Sequence, residues 1–125
     1  CAILGNDNPI SSIVGEIAPS NEFYDYEAKY QSENSKLYIP AHIDSQVSKN
    51  LREIAIKAYK AMGCSGLSRV DFFIQKETNN ILLNEINTFP GFTSISMYPK
   101  LFGASGIDCT TLIDNLINLA LERTL

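Results

Sequence analysis

Two carboxylates, an amide and a guanidinium sit close together in the second half of the chain, in an order that suits metal and phosphate chemistry. They are Arg69, Asp71, Glu85 and Asn87, carried by the runs Val70-Asp71-Phe72-Phe73-Ile74 and Ile81-Leu82-Leu83-Asn84-Glu85-Ile86-Asn87. Carboxylate and amide oxygens are hard ligands, and three of them around a small volume suit Mg²⁺ (or Mn²⁺), which takes its remaining ligands from water and phosphate oxygens. Without a metal, two facing carboxylates repel, and Arg69 would offset part of that repulsion. The bland alternative is a solvated strand face with an ordinary Arg–carboxylate pair.

For the first reading to hold, the local structure must bring the groups to one face. Both runs are rich in strand-forming residues, and the polar segment Gln75-Lys76-Glu77-Thr78-Asn79-Asn80 between them carries turn formers, so the sequence predicts a β-hairpin. If the register sets Asp71 across from Glu85, then Arg69, Asp71, Glu85 and Asn87 share a face, because strand side chains alternate with a period of two. Phe73 joins them under the same register. Directly after Asn87 comes Thr88-Phe89-Pro90-Gly91-Phe92-Thr93-Ser94. Pro90 stops the strand, and Gly91 lets backbone N–H donors approach a ligand closely. Donors beside a metal suit an acyl or phosphoryl transition state, although a Pro-Gly pair alone reads as an ordinary turn.

These residues resemble a family. Gly-Leu-Ser-Arg69-Val-Asp71-Phe-Phe, then Asn84-Glu85-Ile86-Asn87-Thr88-Phe89-Pro90-Gly91-Phe92-Thr93, then Ser96-Met97-Tyr98-Pro99 look like the C-terminal part of a D-alanine–D-alanine ligase, an ATP-grasp enzyme of peptidoglycan synthesis. The likeness extends to Phe23-Tyr24-Asp25-Tyr26-Glu27-Ala28-Lys29-Tyr30 and, more weakly, over nearly the whole chain. It implies that ATP phosphorylates the carboxylate of one D-alanine and that the amine of a second attacks the acyl phosphate. The products are D-alanyl-D-alanine, phosphate and ADP.

The resemblance also implies roles for single residues. Asp71, Glu85 and Asn87 hold Mg²⁺ on the ATP phosphates, while Arg69 and the backbone N–H of Gly91 stabilise the tetrahedral oxygen. Lys29 lies near the nucleotide phosphates, Tyr30 helps to select the second amino acid, and Ser96 binds its carboxylate. Phe23 and Phe73 lie near the base. Residues 18–36 become a mobile loop over the active site; read without the resemblance, they are a long polar loop with four aromatic residues in need of a surface.

Length and composition agree with one folded domain. The 125 residues, 45% of them hydrophobic, suffice to bury about two-thirds of the unfolded surface. A net charge of −4 offers no basic field for nucleic acid or an anionic membrane, so a small molecule is the expected partner. No run approaches a membrane span. Cys1, Cys64 and Cys109 lack metal-type spacing and fit packing roles in a reducing, cytoplasmic setting. The chain opens on Cys1-Ala2-Ile3-Leu4 without Met and contains neither the family's glycine-rich phosphate loop nor its first-substrate domain. The expectation is therefore a C-terminal piece that is inactive alone, with the N-terminal and central domains supplied by a parent that is a homodimer.

The remaining elements are framework. Cys1–Leu4 and Ile10–Ile17 read as a hairpin, Leu37–Pro40 as a short extended piece, and Ser45–Met62 as an amphipathic helix capped by Ser45 or Asp44 and ended by Gly63. A short helical segment follows Ser96, whose hydroxyl is a candidate cap. Asp108 caps a last helix running to Arg123 with an apolar stripe of Leu112, Ile113, Leu116, Ile117, Leu119 and Ala120. The lone histidine, His42, is given no role. The expected fold is α+β, an ATP-grasp C-terminal domain whose antiparallel sheet is covered on one face by two helices, with the Asp71 face open to ligand. Two further functions are carried forward: a D-alanine–D-serine ligase, and a non-catalytic nucleotide- or metal-binding module. Tyr30 and Met97 look like the D-alanine type.

Overall fold

The computed structural model describes residues 1–18 and 36–123. Phe23, Lys29 and Tyr30 lie outside them, as does nearly all of the 18–36 loop. The strands are β1 (Ala2–Gly5), β2 (Ile10–Ser11), β3 (Glu16–Ala18), β4 (Lys36–Tyr38), β5 (Gly66–Ile74) and β6 (Ile81–Asn87). The helices are α1 (Ser45–Ala61), α2 (Met97–Ala104) and α3 (Cys109–Glu122). A four-stranded sheet runs β2-β1-β5-β6, antiparallel throughout, and β3-β4 form a separate two-stranded ribbon.

The α+β class and the antiparallel sheet are as the sequence indicates, but helices lie against both faces. Along β1 the side chains alternate between two cores: Ile3 packs with Leu51, Ala55 and Tyr59 of α1, whereas Ala2 and Leu4 pack with Met97, Tyr98, Leu101 and Phe102 of α2 and Leu112 of α3. The reason is visible in β1 itself. A strand with water on one face alternates apolar and polar, whereas Cys1-Ala2-Ile3-Leu4 is apolar at every position and is buried at every position.

The expected Ile10–Ile17 strand is broken in two. Residues 12–15 are irregular, the Ser12 hydroxyl donates to the Ile13 carbonyl and accepts from the Ala2 N–H, and Gly15 lies hard against α2. A Cβ on Gly15 would come within 2.6 Å of Leu101 Cδ2 and 2.7 Å of Met97 Cε, so a larger residue there would have to push these two side-chain ends aside.

Helix α1 starts where Asp44 accepts the Gln46 N–H, and buries Val47, Leu51, Ala55 and Tyr59 along one stripe. Tyr59 is fully buried and its hydroxyl donates to the Gly5 carbonyl at 2.6 Å; burial pushes the phenol up to about 12. Asp108 caps α3 by accepting the Thr111 N–H, and the helix packs through Leu112, Leu116 and Leu119. Ile113 and Ile117 of the expected stripe are exposed, as is Cys109, which therefore does not pack.

Ser68, the β5 partner of Ile3, is fully buried, and among the described residues its hydroxyl has no hydrogen-bond partner. A buried, unsatisfied hydroxyl costs about 1–3 kcal/mol in desolvation. Ser68→Ala should therefore leave stability unchanged or raise it by about 1 kcal/mol in chemical denaturation. A clear loss of stability would show that the hydroxyl is satisfied in solution.

Candidate functional site

The hairpin register is the one the chemistry requires. On β5 and β6, Asp71 pairs with Glu85, Val70 with Ile86 and Arg69 with Asn87, so Arg69, Asp71, Glu85 and Asn87 project from one face. Val70 and Ile86 point the other way, into the core under α1. The functional face is the one that α2 and α3 cover at its other end, through Leu4 and Leu67.

Arg69 and Asp71 form a two-pronged ion pair. Nε donates to Oδ1 at 2.8 Å and Nη2 to Oδ2 at 2.9 Å, with Arg69 only 8% exposed. The bland reading of a solvated pair therefore fails on burial: a guanidinium held out of water beside a carboxylate is a preorganised charge. A carboxylate has about four acceptor sites, so the two bonds to Arg69 do not by themselves use up Asp71 as a ligand.

Asn87 ends β6 with its Oδ1 accepting the Phe89 N–H at 3.2 Å, a turn that starts the next loop and fixes the amide oxygen in place. Two carboxylates and an amide oxygen on one face are hard oxygen donors of the kind a divalent ion takes, and the set fits Mg²⁺. Glu85 and Asn87 lie on the edge strand of the sheet.

The loop from Thr88 to Ser96 is closed around the Ser96 hydroxyl, which accepts the Thr93 N–H at 3.0 Å and meets the Thr93 hydroxyl at 2.8 Å. Ser96 stands at the N-terminus of α2 but makes no side-chain cap bond, so its hydroxyl faces the loop. The capping role is thus corrected: the loop's own donors hold the oxygen. Gly91 is packed directly on it, and a Cβ there would fall 2.8 Å from Ser96 Oγ. Phe92 stacks near Tyr98, with ring centroids 5.5 Å apart, and the buried Tyr98 donates to the Ile3 carbonyl. These two aromatics tie the loop to the core, a role the sequence did not reveal.

Gly91→Ala should displace the Ser96 hydroxyl while leaving the folded core intact. An ångström-scale misplacement of a substrate-positioning group costs about a hundredfold. We expect a loss of about that order in ligand binding or turnover by the full-length protein, with little change in thermal stability. Unchanged kinetics would remove Gly91 and Ser96 from the site.

A cleft of about 670 Å³ opens beside the ion pair. Arg69, Asp71, Phe73, Asn84, Glu16 and Met97 are among its walls. Phe73 is 55% exposed and pairs with the similarly exposed Leu82, giving an apolar step next to the charged groups. Glu85, Asn87, Gly91 and Ser96 are not among the described residues that line it; Glu85 and Asn87 lie on the edge strand and Gly91 and Ser96 in the loop after it. Asn84 was not singled out from sequence. Its signal was the odd spacing of Ile81 and Ile86, which share one core.

Among the described residues no helix is long and apolar enough to cross a membrane. Residues 1–118 match the family described as D-ala D-ala ligase C-terminus. The chain is 59% identical over 125 residues to a protein named D-alanine--D-alanine ligase from Ruminiclostridium cellulolyticum, covering 98% of this chain and 33% of that protein. It is similar in structure to the VanG D-Ala:D-Ser ligase of Enterococcus faecalis, with a TM-score of 0.82 and 46% identity over 95% of this chain and 34% of the other. It also resembles the Bacillus anthracis D-alanine--D-Alanine ligase complexed with ATP, with a TM-score of 0.74 and 28% identity over 97% and 38% of the two chains. The sequence thus spans about a third of the length of such relatives. Matched along almost all of its length and carrying the paired carboxylates in register, the chain belongs to the D-ala D-ala ligase C-terminus family.

Proposed function

We propose that the full-length protein carrying this domain joins two D-alanines to D-alanyl-D-alanine with ATP, for peptidoglycan synthesis in the cytoplasm, and that this domain supplies the metal and oxyanion part of the site. The observation that carries the reading is the pairing of Asp71 with Glu85, which sets both carboxylates, Asn87 and Arg69 on one face in a member of this family. Asp71, Glu85 and Asn87 would hold Mg²⁺, whose contribution when bound is to draw charge from the transferring phosphoryl group.

The chain's own groups do the rest. Arg69, fixed by Asp71, and the Gly91 N–H offer donors to the oxygen that gains charge when the second amine attacks. Ser96, held by Thr93, would receive the carboxylate of the second D-alanine. Phe73 and Leu82 offer an apolar step for the base, with Phe23, Lys29 and Tyr30 acting from the loop as the resemblance implies. The other domains of the parent, a homodimer in this reading, bring the first D-alanine and the phosphate loop.

The similarity to a D-Ala:D-Ser ligase favours one runner-up, ligation of D-serine in the second position. Met97 argues for D-alanine: by the family resemblance D-serine members often carry a basic residue at this position, and here its charge would be buried among Tyr98, Leu101 and Phe102. Mass analysis of the products formed by the full-length protein from ATP, Mg²⁺ and an equal mixture of D-alanine and D-serine separates the two. D-alanyl-D-alanine as the main product supports the proposal, D-alanyl-D-serine the runner-up, and no dipeptide a binding module.

A further inference from the structure

We propose that the β-bulge at Asn84 is a positioning element that aims Glu85 at the metal, an inference that rests on the metal assignment above. On the turn side of the hairpin, Ile74 pairs with Ile81, Phe73 with Leu82 and Phe72 with Leu83. Past the bulge, Asp71 pairs with Glu85, and Asn84 has no partner on β5.

The extra residue resolves a conflict written into the strand. Ile81 and Ile86 pack against the same core although they are five positions apart, which a period of two would forbid. Continue the turn-side register without a bulge, and Glu85 falls opposite Val70, facing that core; Asn87 turns inward with it. One surplus residue sends both to the Asp71 face.

Removing Asn84 outright would also give a regular ladder, with Ile81, Leu83 and Ile86 facing as they do now and Glu85 still opposite Asp71. The ladder therefore does not need Asn84. What the bulge adds is shape: it bends the strand and increases its twist at that point. Asp71 and Phe73 are two residues apart on β5, whereas their partners Glu85 and Leu82 are three apart on β6. A bulge re-aims the side chain beside it, and here that side chain is Glu85, which in a flat ladder would start about 4.5–5.5 Å from Asp71, where two carboxylates crowd each other. Asn84 itself lines the cleft with Arg69 and Asp71, so the bend lies where the ligand would.

The test uses the full-length protein and Mn²⁺ in the presence of ADP, with bound metal read by electron paramagnetic resonance and folding by thermal unfolding. Three variants are compared: Asn84→Ala, which keeps the extra backbone residue; deletion of Asn84; and deletion of Asn84 with an alanine inserted between Leu82 and Leu83. The last keeps the strand length and moves the bulge one pair toward the turn, so it stays informative if the simple deletion fails to fold. Groups that orient metal ligands typically contribute 10–100-fold to affinity. Asn84→Ala should bind Mn²⁺ within about threefold of the wild type, whereas both rearranged variants should fold and bind at least about tenfold more weakly. Wild-type affinity in either folded rearranged variant, or a loss in Asn84→Ala equal to theirs, overturns the proposal. Mn²⁺ binding that survives Glu85→Gln instead overturns the metal assignment beneath it.

Discussion

Glu85→Gln and Asp71→Asn should each lower ligation by the full-length protein about a thousandfold, with the fold retained. Each substitution keeps the size of the side chain and removes one negative charge from the face that Arg69, Asp71, Glu85 and Asn87 share. A divalent ion is worth several kcal/mol to the transition state of phosphoryl transfer, and about 4 kcal/mol corresponds to a thousandfold in rate. The loss should appear as a raised Mg²⁺ requirement as well as a lower kcat. Of the two, Glu85→Gln is the cleaner, because Glu85 is exposed on the edge strand and takes no part in either core. Asp71→Asn also weakens the clamp on Arg69 and should cost some stability. Phosphate release at saturating ATP and D-alanine over a Mg²⁺ series measures both; a change of less than tenfold in both variants would place the metal elsewhere.

Arg69→Ala should damage the protein twice. The Arg69 side chain is 9% exposed and makes both prongs of the pair with Asp71, whose side chain is 20% exposed. Breaking a fully buried pair costs about 3–5 kcal/mol; with Asp71 still partly reached by water, about 2–3 kcal/mol is expected here. Loss of the charge-stabilising donor adds a hundredfold or greater fall in kcat. Arg69→Lys separates the effects. A lysine restores a positive charge near Asp71 and with it part of the stability, but as a point charge it cannot reproduce the fork, so activity should stay low. Chemical denaturation and steady-state kinetics on the two variants read the two losses independently. Full activity in Arg69→Lys would reduce Arg69 to a structural counter-charge.

Much of the site was legible because its residues follow the strand period of two on both strands. Arg69 and Asp71 alternate with Val70 and Phe72, and Glu85 and Asn87 flank Ile86, so the sequence put each pair on one face of its own strand; the register that joins the two pairs was a condition of the reading, and the structure supplies it. The pattern did not reveal how the strand changes face between Ile81 and Ile86, because a bulge is specified by the core packing of both isoleucines together. Helix α1 and its Asp44 cap followed from local spacing, whereas the break after Ser11 depends on Gly15 meeting Met97 and Leu101, more than eighty residues away. Such a contact leaves no local trace. Ser96 shows the same limit. Its place before a helix suggested a cap, and only the fold of the 88–96 loop shows its hydroxyl held by Thr93 against Gly91.

The most direct measurement is D-alanine-dependent phosphate release by the full-length protein with ATP and Mg²⁺, run beside Glu85→Gln. The expected result is turnover in the wild type that requires both D-alanine and Mg²⁺ and is almost abolished in the variant. A folded wild-type protein that releases no phosphate, or a variant that releases it as fast, would contradict the assignment of the Asp71–Glu85 face as the metal site of a D-alanine ligase.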